Sequence, residues 1–356
     1  MTTTGKEAAM RRTVALLGAC VLALLAACGP STPPTDPAAV TTTTPGPRPS
    51  PSAERVTVRV AALAGPTTIG LLGLMRDAAA GTARQDYRVT TYGTPDEVVP
   101  QLVRGDVDIA LLPANLAAVV HRQTRTDAGP AVQALAVNTL GVLSVLEHGT
   151  DVRSLADLRG RTVLSTGKGA SPQYVLEHLL RRAGLTPGTD VTVEYVPEPT
   201  QVAAALAATP GTVGVLPQPY ATAVTVQEPD VRVAVDLTQA WADVEPSSQL
   251  VTGVTVVRTA FAREHPGALA DFLADDARSV AFVTGSPQDA APLVVAAGLV
   301  RSAPVAQAAI PACHLVLLTG DEMRAALEGY LAVLHAAEPR SVGGALPGDD
   351  FYLGAT

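Results

Sequence analysis

The feature that most constrains this chain is a repeated alternation of strand and helix signals from residue 56 onward. Residues 56–61 alternate β-branched and polar positions, as a half-buried strand does. Gly65-Pro66-Thr67-Thr68 is a turn, and residues 69–80 form an apolar helix. Residues 87–92 are a second strand. Thr94-Pro95-Asp96-Glu97 then carries a capping box, with Thr at the N-cap, Pro at N1 and Glu at N3. The helix it opens runs to Arg104 and stops at Gly105. Residues 107–112 are a third strand, and Pro113-Ala114-Asn115 leads into another helix. Strands separated by helices pair in parallel with both faces covered, so the series predicts an α/β fold.

A second series follows the strand at residues 144–148. Residues 154–158 are a helical turn ending at Gly160, and 161–166 are a strand. Gly167-Lys168-Gly169-Ala170 is a loop, after which Ser171 as N-cap and Pro172 at N1 open a helix to Gly184. Residues 191–196, 212–216 and 231–237 are strands, with helices at 200–208 and after Pro217-Gln218-Pro219-Tyr220. Residues 251–257 are one more strand. Beyond it the pattern is mostly helical, at 259–264, 267–282, 287–297 and 322–336, with a Gly- and Asp-rich tail at 341–356. Two β/α halves predict two lobes: residues 55–145 with 251–356, and residues 146–250. Ligands of open α/β sheets bind beyond the carboxyl ends of the strands, so facing lobes define a cleft.

The bulk numbers narrow the function. A chain of 356 residues exceeds what one compact core usually carries. Aromatic residues make up 3% and the net charge is -8, which disfavours stacking on, or electrostatic attraction to, nucleic acid. Lysine occurs only at positions 6 and 168, while arginine is abundant. The last lysine therefore stands where arginine does not substitute. Cysteines occur at 20, 28 and 313, too few beyond the leader for a disulfide framework.

Residues 1–27 read as a signal peptide, with Lys6, Arg11 and Arg12 ahead of an apolar stretch at 13–27. That stretch is shorter than the roughly 20 residues a membrane-spanning helix needs. Leu25-Ala26-Ala27-Cys28 resembles a bacterial lipobox, which makes Cys28 the lipidation site. Arg11-Arg12 leaves the twin-arginine and general export routes both open. Residues 28–54 are the lipidated Cys and a tether rich in Pro, Thr and Ser, with a reach of about 75 Å if extended. The chain is expected outside the cytoplasm, anchored to the outer face of the cell membrane. No later segment qualifies as a membrane span, so the chain is not itself a transporter.

Several pieces together resemble a known group. They are Gly65-Pro66-Thr67-Thr68-Ile69-Gly70, Thr94-Pro95-Asp96-Glu97-Val98-Val99, Gly105-Asp106-Val107-Asp108-Ile109-Ala110 and Ser154-Leu155-Ala156-Asp157-Leu158-Arg159-Gly160. Leu216-Pro217-Gln218-Pro219, Thr252-Gly253-Val254 and the helical segments after residue 261 continue the series. Over residues 55–356 the chain is similar to ABC-importer binding proteins of the nitrate, taurine and alkanesulfonate class, which includes thiamine-pyrimidine binders. The resemblance implies a two-lobed periplasmic-binding-protein type II fold that closes on a small molecule by a hinge. It implies delivery of that molecule to permease and ATPase subunits by a monomer, without a cofactor.

Candidate ligand groups lie at the predicted strand ends. Gly167, Lys168, Gly169 and Ala170 follow a strand and open a helix, so backbone N–H groups and the helix dipole face the loop. With the Lys168 charge this suits a carboxylate, sulfonate or phosphate; a solvated loop lysine is the plainer alternative. It is not a Walker A loop, because Thr162 stands where that motif needs glycine. Gly65, Pro66, Thr67 and Thr68 form the matching loop of the first lobe, where the threonines serve as ligand groups or only as caps. Tyr92 with Gly93 reads as a ligand contact or as core, and Asn115 as a ligand contact or an N-cap. Asn138, Thr139 and Thr252 stand at the crossings, and Gln218 is held between two prolines. Tyr220, Trp241 and Glu198 are weaker candidates. An anion and a heterocycle both fit these groups. Cys313-His314 reads as buried structure rather than a metal pair, since adjacent strand residues face opposite sides. The six histidines show no metal spacing, and no nucleophile motif occurs, so catalysis is not expected. A sensing module for a membrane receptor and an exported enzyme on the same fold are the alternatives.

Overall fold

The computed structural model describes residues 55–354. The signal segment, Cys28 and the tether lie outside the described residues. Among the described residues no helix is long and apolar enough to cross a membrane.

In chain order the first half holds β1 (Thr57–Leu63), α1 (Pro66–Gly70), α2 (Leu72–Ala79), β2 (Asp86–Tyr92), α3 (Pro95–Arg104), β3 (Ile109–Pro113), α4 (Ala114–Gln123) and β4 (Val132–Leu140). The second holds β5 (Leu143–His148), a 3-10 turn (Leu155–Leu158), β6 (Thr162–Ser165), α5 (Ser171–Arg182), β7 (Thr192–Tyr195), α6 (Pro199–Ala208), β8 (Val213–Pro217), α7 (Tyr220–Gln227), β9 (Val231–Asp236) and α8 (Leu237–Val244). Then come β10 (Val251–Arg258), α9 (Thr259–Glu264), α10 (Pro266–Gly285), α11 (Pro287–Ala296), α12 (Ala303–Ala309), β11 (Leu315–Leu318) and α13 (Gly320–Ala337).

These strands form two sheets, ordered β11-β4-β10-β3-β1-β2 and β7-β6-β8-β5-β9. Each has a parallel trio, β2-β1-β3 or β7-β6-β8, as the alternating pattern predicts. The all-parallel expectation fails beyond that: β10 is antiparallel to β3 and β4, and β5 to β8 and β9. The cause is where the chain crosses. β4 ends at the same edge as the trio of its sheet, so β5 must start at the facing edge and run away from it. β9 and α8 return the chain in the same way to β10. Each sheet thus takes its reversed strand from the chain's crossing.

Local chemistry sets the element ends. The box of Thr94 and Glu97 is present on α3, which ends on Gly105 at φ 85°. A second box, Ser154 with Asp157, caps the 3-10 turn. Arg59 of β1 and Arg258 of β10 both donate to the buried Asp108 carboxylate, tying three strands at their outer ends. Burial acts to raise the Asp108 pKa, yet these guanidinium bonds hold it below the usual carboxylate range. The helix predicted at 69–80 is broken at Leu71 into α1 and α2. Ser171 is not the N-cap; Ala170 is, and Ser171 is the first residue of α5. Four elements had no sequence reading: β4, α8, α12 and β11. The Gly- and Asp-rich tail is docked on the first sheet. Phe351 is fully buried there, and Leu353 N–H donates to the Ala134 carbonyl.

The largest apolar cluster runs through both sheets. Val137 and Val254 of the six-stranded sheet share it with Val145, Val163 and Val215 of the five-stranded one, joined by Tyr330, Leu331 and Leu334 of α13. Trp241 lies fully buried in it, between His178 and Tyr330, and so is a core residue rather than an exposed stacking group. Cys313 is buried at the end of a 3-10 turn and His314 takes φ 44°, so this pair is not on a strand.

Candidate functional site

The carboxyl ends of the two parallel trios face each other, and three pairs of loops meet there. The loop after β1 approaches the one after β8: a Cβ on Gly65 would lie 3.9 Å from the Gln218 carbonyl oxygen. The loop after β2 approaches the one after β7: a Cβ on Gly93 would lie 3.1 Å from Glu198 Oε1. At the end of β3, Asn115 reaches the loop after β6, donating to the Gly169 carbonyl at 3.4 Å and accepting from Ser171 Oγ at 3.1 Å. Residues far apart in sequence are thereby gathered at one junction between the sheets.

Within that junction the predicted residues divide by what their polar atoms do. Thr67 and Thr68 both donate their hydroxyls to the Leu63 carbonyl, at 2.8 and 2.7 Å, folding the loop back on β1. Gly65, at φ 140°, makes the turn that allows this, with Pro66 as the first residue of α1. Tyr92 donates its hydroxyl to Gln101 Oε1 at 2.9 Å, back onto α3. Gly93 N–H and Thr94 N–H donate to Glu97. Asn115 is buried and not an N-cap, which is Pro113. Asn138 donates to Thr255 Oγ1 at 3.0 Å and accepts from Thr139 Oγ1 at 2.8 Å, with both residues buried. A Cβ on Gly253 would run into Asn138 Oδ1, so β10 needs a glycine beside this pair. Thr252 is half-buried where the pairing of β10 with β4 shifts register. Gln218 lies before a cis peptide to Pro219, and its Oε1 accepts from Thr222 Oγ1 at 2.8 Å.

The Gly167-Lys168-Gly169-Ala170 loop differs from these. Gly167 and Gly169 take φ 72° and 79°, a left-handed backbone that only glycine adopts without strain. A Cβ on Gly167 would also come within 2.8 Å of the Pro172 ring. The helix it opens has no side-chain cap. Lys168 is exposed and makes no ion pair among the described residues. The loop therefore presents an uncapped helix start and an unneutralised cation at the junction, an arrangement that attracts an anion.

Around it stand groups that single-residue patterns did not mark. Gln173 accepts the Gly169 N–H at 2.7 Å, and Ser341 from the C-terminal segment accepts from Asn115 at 2.9 Å. Neither has a local signature, because each acts on a loop folded against it. Tyr220 is half-buried, which raises its pKa, with Glu198 adding to the shift. It lines a cavity of about 440 Å³ between α6, α7 and the loop after α11. Among the described residues no group of three or more His, Cys, Asp or Glu could hold a metal ion.

Residues 79–309 match the sequence profile of a family described as ABC transporter, phosphonate, periplasmic substrate-binding protein. Solved structures share the fold at low identity. An ABC transporter protein from Parabacteroides distasonis matches with TM-score 0.68 at 18% identity, covering 83% of this chain and 98% of that one. The periplasmic aliphatic sulphonate binding protein SsuA from Escherichia coli matches with TM-score 0.65 at 17% identity, covering 84% and 92%. The alkanesulfonate-binding protein SsuA from Xanthomonas axonopodis pv. citri, bound to MOPS, matches with TM-score 0.64 at 15% identity, covering 83% and 96%. No curated protein matches in sequence. With the profile matched over more than half of its length, this chain belongs to the phosphonate-type family of periplasmic substrate-binding proteins, the solute-binding components of ABC importers.

Proposed function

We propose that the chain captures a small solute bearing a tetrahedral oxyanion, a phosphonate or a sulfonate, between its two sheets. The observation that carries this is the 167–170 loop: two left-handed glycines, an uncapped helix start and the exposed, unpaired Lys168 at one strand end. Phosphonate in the family description and sulfonate in the names of structural relatives support the same chemistry, since both are tetrahedral anions. Residues 55–145 with 251–356 form one lobe and 146–250 the other, and the ligand holds them closed by touching both. Gly65, Pro66, Thr67, Tyr92, Gly93, Gln218 and Thr252 supply the remaining walls of the cleft. The protein is a monomer without catalytic activity. It is tethered to the outer face of the membrane through lipidated Cys28 and hands its ligand to permease and ATPase subunits.

Thermal shift and calorimetric titration of the full chain against methylphosphonate, alkanesulfonates, nitrate and thiamine pyrimidines test this. Ligand at about 100 times its dissociation constant adds roughly 2.7 kcal/mol of stability, a shift of several degrees. Lys168→Ala is expected to weaken the binding of an oxyanion about tenfold or more, the loss of one charge-assisted contact. Unchanged affinity in that variant removes Lys168 from the site. Binding of a pyrimidine but of no oxyanion overturns the proposed ligand class.

A further inference from the structure

We infer that Asn115 is the positioning residue of the 167–170 loop, holding it from the opposite sheet; this rests on the reading of that loop as the oxyanion site. Asn115 is the second residue of α4, at the carboxyl end of β3, and is 0% exposed. A side-chain amide offers two N–H donors and an oxygen with two lone pairs. Here one donor goes to the Ser341 carbonyl at 2.9 Å and the other to the Gly169 carbonyl at 3.4 Å, while Oδ1 accepts from Ser171 Oγ at 3.1 Å. Three of four capacities thus face protein, and the side chain is out of a ligand's reach. What it does reach is the loop, on both sides of Ala170.

The loop has little else to fix it. Its bonds to its own half are Ala170 N–H to the Gly167 carbonyl at 3.0 Å, Gln173 N–H to the Ala170 carbonyl at 3.1 Å and Gly169 N–H to Gln173 Oε1 at 2.7 Å. Lys168 and Gly169 are exposed, and two glycines give the peptide planes between them wide freedom. A plane that turned over would aim a carbonyl oxygen at the place of an anion and repel it. The Asn115 clamp holds the Gly169 carbonyl against α4, and Ser341 ties α4 to the C-terminal segment. In this arrangement the loop is therefore referenced to the other sheet as well as to its own helix. A loop held in this way has less backbone freedom to lose when an anion binds, which lowers the ordering cost of binding.

The chain's own lysines make this testable. In the full chain a lysine-specific protease can cut only at Lys6 and Lys168, and the second cut alone splits the folded part. The rate of that cut reports opening of the loop. Wild type, Asn115→Ala and Ser171→Ala are compared with and without methylphosphonate, in rising sub-denaturing urea, alongside the thermal midpoint of each. Asn115→Ala is expected to speed the cut about tenfold or more, with little dependence on urea, because the opening is local. Ser171→Ala, which leaves the Gly169 bond in place, is expected to speed it less, and it carries the test if Asn115→Ala does not fold. Cutting at the wild-type rate in both variants overturns the inference. So does acceleration that follows urea with the slope of global unfolding, since that is the mark of a merely structural residue. Methylphosphonate should slow the cut in wild type, and in Asn115→Ala only at higher concentration. A loop loosened by Asn115→Ala but never protected by methylphosphonate upholds the clamp and overturns the oxyanion reading instead.

Discussion

Asp276 shows how much one side chain can set the pH response of this molecule. It lies on α10, 2% exposed, and burial alone pushes its carboxyl up to about 7. An unfolded aspartate titrates near 3.9, so between about pH 4 and 7 the folded chain binds the extra proton. Stability from this group therefore falls as pH rises through that window, and the penalty is complete above about 7. Asn in its place removes the charge and keeps the shape. Asp276→Asn should stabilise the chain at pH 8 by on the order of 2–4 kcal/mol, seen as a higher thermal midpoint, and change the midpoint little at pH 4. Midpoints measured at both values check this; an equal effect at the two would assign Asp276 some role other than a buried acid. The Cys313 thiol, pushed up to about 12 by the same cause, stays protonated and inert in the core.

Among the elements, β5 is the one on which the crossing depends. It leaves the first sheet at Gly141 and runs antiparallel in the second, against β8 and β9. Its far end is pinned by Glu147, fully buried, which accepts from Arg232 at 2.8 Å, Arg161 at 3.4 Å and the Val152 N–H at 2.9 Å. Removing one partner of such a cluster leaves buried charge without compensation. Glu147→Ala should lower stability by about 3–5 kcal/mol, seen as an earlier midpoint in denaturant unfolding. A loss below about 1 kcal/mol would mean that solvent reaches both guanidiniums, as at a surface ion pair. The reversed strands β5 and β10 also mark a limit of pattern reading. Their alternation is legible, but direction follows from the edge at which the chain changes sheet.

For the molecule as a whole, the two sheets share one apolar cluster through α5, α8 and α13, with the single tryptophan inside it. Halves that share a core of this kind should not melt separately. Trp241 fluorescence and far-UV circular dichroism are expected to trace the same denaturant transition. Two resolved transitions would show that the halves are independent and that α13 joins them only loosely.

Much of the fold is legible in the sequence alone. The period of the apolar residues marked most strands and helices, and the capping box at Thr94 and the glycines at 105, 167 and 169 marked their ends. These signals are local: each depends on the backbone within a few residues of itself. Of the elements that escaped, α8, α12 and β11 are short, while β4 is buried along most of its length and shows no alternation; their burial comes from partners distant in sequence. The candidate site divides along the same line. The Gly-Lys-Gly loop was visible because a loop between strand and helix has its own grammar. That Asn115, Ser171 and Ser341 converge on it was not, since each sits on a different element. Only the packing of α4 against α5 and the C-terminal segment brings their polar atoms within hydrogen-bonding distance, and a buried amide takes its role from whatever surrounds it.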